Sequence, residues 1–70
     1  MERVLFGEKV IASAGYDPLT KVLEVEFTRL RKVCLYLDVD EDDWYGLKYA
    51  DYADNYFRKH IRCKYLERRL

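Results

Sequence analysis

The chain of 70 residues has no glutamine, one asparagine, one serine, one histidine and one proline, with two cysteines and three glycines. Each scarcity excludes something. A Ser-His-Asp catalytic group would have to use Ser13 and His60, and no nucleophile-elbow pattern surrounds Ser13, which lies in a strand-like run. Gly7, Gly15 and Gly46 are scattered, so no glycine-rich phosphate loop exists. Cys34 and Cys63 are too few for the disulfide framework of a very small secreted fold, and both are read as reduced. His60 and Cys63 lack the paired spacing of a metal site. A calcium loop opened by "DVDEDDWYG" and counted from Asp38 would need glycine and glutamate where Asp43 and, beyond that stretch, Tyr49 fall. No cofactor, metal or enzymatic activity is expected. No long apolar run is present, so a membrane partner is not expected and a cytoplasmic location is.

What remains is aromatic and charged. Seven tyrosines, three phenylalanines and one tryptophan supply core volume that a short single domain, residues 1–70, needs in order to fold. Thirteen Lys and Arg balance thirteen Asp and Glu, but unevenly along the chain. Residues 38–54 carry seven acids against Lys48, whereas residues 58–70 carry six Lys or Arg against Glu67. Such polarity suits one face to an anionic partner and another to a cationic one.

Periodicity predicts an α+β fold: a three-stranded antiparallel meander covered on one face by two C-terminal helices. A first strand spans Val10 to Asp17 and ends at the Asp17-Pro18 turn. "VLEVEFT" alternates strictly, with Leu23, Val25 and Phe27 on one face. After the basic connection of Arg29, Arg31 and Lys32, "VCLYLDV" places Val33, Leu35, Leu37 and Val39 inward. Asp40 caps a first helix that packs Trp44 and Leu47 and frays near Tyr49 to Asp51. Asp54 caps a second, from Asn55 to about Tyr65, with Phe57, Ile61 and Tyr65 inward.

The stretches "IASAGYDPLTKVLEVEF", "VCLYLDV" and "YFRKHIRCKYLERRL" resemble the KTSC domain, a family named for its occurrence at the C-terminus of some lysyl-tRNA synthetases. The resemblance runs without gaps from about Ile11 to Leu70, and its most specific part is Tyr56-Phe57, Ile61-Arg62, Tyr65 and Arg69-Leu70. It implies a compact sheet-plus-helix module without enzymatic activity, and a nucleic-acid partner such as tRNA. The chain departs from the family pattern at Asp40, where a proline is usual, at Tyr52-Ala53-Asp54, where a Ser-Lys-Gly type turn is usual, and at Arg58, Cys63 and Leu66.

Two functions follow. The first is a nucleic-acid-binding module, of RNA or tRNA in particular, with Arg58, Lys59, Arg62, Lys64, Arg68 and Arg69 on phosphates and Tyr36 and Tyr56 stacking on bases. With Asn55 as the only amide side chain, little sequence specificity is expected. Arg62 also fits a bridge to the acidic first helix, the reading favoured for it. The second function is a small protein-interaction or inhibitor protein, of the viral anti-defence or nucleic-acid-mimicking kind. It would engage a protein partner through Asp42, Asp43, Tyr45, Tyr49, Asp51 and Tyr52. A homo-oligomer through a free edge strand or the Tyr stripe is compatible with either.

Overall fold

The strict alternation of "VLEVEF" does build a strand, and the two strands that pair with it each pair outward with one more, which gives a larger sheet than the pattern predicts. The computed structural model describes the backbone of residues 2–70 and the side chains of residues 3–70. Strands β1 (Glu2–Leu5), β2 (Ile11–Asp17), β3 (Val22–Phe27), β4 (Val33–Leu37) and β5 (Leu66–Arg69) form one antiparallel sheet in chain order. Helices α1 (Glu41–Lys48) and α2 (Ala53–His60) lie between β4 and β5 in the chain. The sheet therefore has five strands, not three.

Both additional strands escape a reading by periodicity. β1 is four residues at the sheet edge, held by its register with β2, where Val4 faces Ala14. All four residues of β5 are exposed, so it shows no inside-outside alternation; its pairing with β4 alone makes it a strand. The second helix is correspondingly shorter than expected. Phe57 and Ile61 are buried one turn apart as its stripe requires, but Ile61 (φ −120°, ψ −52°) leaves helical geometry and Tyr65 reaches the core through the turn that follows.

The third predicted strand is right in place but reversed in face over Val33 to Leu37, whereas Val39, past the strand end, is buried as expected. Its register sets Tyr36 opposite Leu23 and Cys34 opposite Val25, so Cys34 and Tyr36 enter the core while Val33, Leu35 and Leu37 stay half-buried on the far side. Apolar side chains alternate with apolar ones in "VCLYL", so the pattern cannot choose a face; the partner strand, whose far face carries Glu24 and Glu26, chooses it.

The helices cover one face of the sheet. Trp44 and Leu47 of α1 and Ala53 and Phe57 of α2 pack with Ile11, Tyr16, Leu23, Val25 and Tyr36, and Tyr16 and Trp44 stack with ring centroids 5.8 Å apart. Asp40 is the N-cap of α1 but its carboxylate makes no capping bond; its carbonyl accepts from Asp43 and Trp44.

The N-terminus of α2 is satisfied from outside the helix. Glu8, in the β1–β2 loop, accepts from the N–H groups of Ala53 (2.8 Å) and Asp54 (3.1 Å). Asp54 is thus not the cap of α2; it lies in the first turn and reaches back to accept from Val10 (3.1 Å) and Ile11 (3.0 Å). This reciprocal exchange satisfies four backbone donors at once and fixes α2 against the start of β2.

Candidate nucleic-acid interface

Fixing α2 at that angle opens a groove beside it. Phe57 meets Tyr36 and Phe27 edge to face, with centroids 5.4 Å and 5.7 Å apart, and these three rings together with Cys34 floor a cavity of about 820 Å³. Tyr36 and Phe57 are buried; Phe27 is only half-buried. The Tyr36 hydroxyl donates to Glu67 (2.6 Å), and burial, then that bond, pushes its ionisation far above the ordinary range. Burial raises the Cys34 thiol as well, so it is not a ready thiolate.

The walls are cationic. Arg58 comes from α2, Arg62 from the turn after it, Arg69 from β5, Arg29 and Lys32 from the β3–β4 connection, and Lys9 from the β1–β2 loop. Two carboxylates line the same cavity, and both are engaged. Asp54 holds the Val10 and Ile11 amides, and Glu67 accepts from Tyr36 with Arg69 Nε at 3.6 Å. Arg58 donates to Asn55 Oδ1 (3.0 Å), which orients its guanidinium without neutralising it. Among the described residues, Lys9, Arg29, Lys32, Arg58 and Arg62 have no ion-pair partner within 4.0 Å. The lip carries backbone strain: Leu30 and Arg31 adopt positive φ (61° and 51°), uncommon for such side chains.

The basic tail of the sequence is therefore divided among different surfaces. Arg58, Arg62 and Arg69 converge on the groove. Lys59 is exposed on α2 outside it, and Arg68 points to the opposite face of the sheet, across from Leu35. Lys64 pairs with Asp43 (3.0 Å) and so makes the bridge to the acidic helix expected of Arg62. Tyr36 cannot stack on a base, being fully buried, and Tyr56 is occupied, its hydroxyl on Asp43 (3.1 Å) and its ring 4.4 Å from His60. Lys9, Arg29, Lys32 and Phe27 join the site from the N-terminal half. The basic connection before β4 signals two of them, whereas Lys9 has no local signal.

Asp43 is a hub of the helical layer. It accepts from Tyr56, Lys64 and Tyr65, and Tyr65 also accepts from the Asp40 N–H (3.2 Å). Burial alone would raise its carboxyl; the bonds from Tyr65, Lys64 and Tyr56 together outweigh that and hold it below the ordinary Asp value. The same contacts raise Lys64, chiefly through the hydrogen bond to Asp43. Asp43 thus leaves the candidate protein-binding face, because it is buried. The rest of that face is open: Asp42 and Asp51 are exposed, as are Tyr45, Tyr49 and Tyr52, with Tyr45 and Tyr49 stacked 6.4 Å apart and Lys48 over the Tyr49 ring. No helix among the described residues is long and apolar enough to cross a membrane.

The comparison with curated proteins returns no match. Among solved structures, a KTSC domain protein from Yersinia pestis superposes with a TM-score of 0.91 at 29% identity, covering 99% of this chain and 96% of that one. The family model of the KTSC domain matches residues 8–65, a span that contains Glu8, the Asp54 turn, both helices and the Tyr65 hydroxyl contact. The chain belongs to the KTSC domain family.

Proposed function

We propose that this protein is a non-enzymatic, cytoplasmic nucleic-acid-binding module that takes RNA through the groove beside α2, with little sequence specificity. The observation that carries the reading is the cluster Lys9, Arg29, Lys32, Arg58 and Arg62, cations without ion-pair partners, around an aromatic floor. Cations crowded together repel one another, so a chain of zero net charge that concentrates them in one concave site has an anion as its natural occupant. Asn55, the only side-chain amide, already holds Arg58, which leaves none to read adenine bidentately. The family's occurrence at the C-terminus of some lysyl-tRNA synthetases makes tRNA the first RNA to try.

The test is an anisotropy titration of total tRNA and of a random single-stranded DNA at two salt concentrations. Binding that weakens with salt, with a log-log slope of about −2 if three phosphates are contacted, supports the reading. No binding to either at low salt overturns it.

A second reading rests on Tyr49 and Tyr52, which are 72% and 70% exposed beside the acids Asp42 and Asp51. On this reading the acidic face engages a basic protein surface, and Tyr49→Ala with Asp51→Ala removes capture while the groove variants are silent.

A further inference from the structure

The groove has features that a site for phosphate alone would not need. Its floor is apolar, and Phe27 is the one ring of that floor with part of its surface open. Its lip presents Leu30, 77% exposed and held outward on a strained backbone, among Arg29 and Lys32. A polyanion recognised by charge would gain nothing from an exposed leucine and an open phenyl ring. An aromatic group attached to phosphate would use both, its flat face on the apolar surface and its anion on the guanidinium groups.

Resting on the nucleic-acid reading above, we propose that the groove takes an unpaired nucleotide, its base against Phe27 and Leu30 and its phosphates on Arg29, Arg58 and Arg62. In a duplex each base is stacked and paired, its face closed to a ring in a recess; a duplex can meet the rim only. The cavity of about 820 Å³ lies within the range of sites that hold small ligands, roughly 300–1,000 Å³, so it has room for a base. The chemistry is shared by a free nucleotide and by an unpaired position in a strand, and the two are separated by experiment.

Four probes are titrated against the folded protein: a labelled single-stranded RNA, the same sequence as a blunt duplex, a free mononucleotide and inorganic polyphosphate. The single strand is expected to bind at least ten-fold tighter than the duplex. Phe27→Leu, which keeps apolar volume, and Leu30→Ala, which alters only an exposed side chain, are each expected to shrink that preference at least three-fold, with melting curves recorded to confirm folding. Saturable displacement of the strand by the mononucleotide assigns the groove to free nucleotides; displacement only by the strand assigns it to an unpaired position in RNA. Equal affinity for strand and duplex, unchanged in both variants, overturns the proposal and leaves general nucleic-acid binding standing. Binding of polyphosphate as tight as that of the single strand also overturns it. Failure of all probes overturns both.

Discussion

Replacing Gly46 by Ala sets two effects against each other. In an exposed helix interior, alanine gains about 1 kcal/mol over glycine. Here a Cβ would fall on the hydroxyl and ring edge of Tyr56, which lies across the helix to reach Asp43. Overpacking of that kind costs about 1–3 kcal/mol, and the Tyr56–Asp43 bond is lost with it, so Gly46→Ala is expected to destabilise. In a Tyr56→Ala background the same change should turn neutral or stabilising, which a pair of urea titrations resolves. Asp43 itself gives a pH signature. Its folded carboxyl titrates below the unfolded one, so its contribution is fully present above the unfolded value near 3.8 and is lost as pH falls through the lower, folded value. Wild-type stability should fall as pH drops below about 4, and Asp43→Asn should flatten that fall while lowering stability at pH 6 by about 2 kcal/mol. A variant whose acid slope matches wild type would contradict the assignment.

The exchange between the β1–β2 loop and α2 makes those two segments one unit. Glu8→Ala and Asp54→Ala each strip two backbone amides of their partners and should each cost about 1–2 kcal/mol by denaturant titration. Because the two acids lock the same junction from opposite sides, the double variant should cost less than the sum; strict additivity would count against a coupled lock. This junction also explains what could be read beforehand. β3, the Asp17-Pro18 turn, Trp44 and Leu47 announce themselves because their signals are local alternation, proline geometry and helical spacing. β5 has no local signal, since "LERR" becomes a strand only by pairing with β4. Alternation cannot choose the face of β4 because both of its faces are apolar, and Asp54 resembles a cap while its carboxylate serves another segment. The groove was half legible: Arg58, Arg62 and Arg69 belong to a visibly basic tail, whereas Lys9, Arg29, Lys32 and Phe27 come from segments that meet the tail only after folding.

The whole molecule is neutral, so long-range attraction to a polyanion cannot come from net charge and must come from where the charge lies. The antiparallel sheet brings the β3–β4 connection, the β1–β2 loop and the end of β5 to the same side as α2, while the acidic first turn of α1, with Asp42 exposed, stands outside the groove lining. Two triple variants with identical net charge separate location from charge. One reverses the groove cations, Arg29→Glu, Arg58→Glu and Arg62→Glu; the other reverses exposed cations outside it, Lys21→Glu, Lys59→Glu and Arg68→Glu. The decisive measurement is the affinity of each folded variant for single-stranded RNA at one fixed low salt concentration. The groove variant is expected to lose at least 100-fold, about 3 kcal/mol, and the other to lose less than five-fold. Equal losses in the two would show that the protein responds to RNA only as a charge, and would contradict the groove as its binding site.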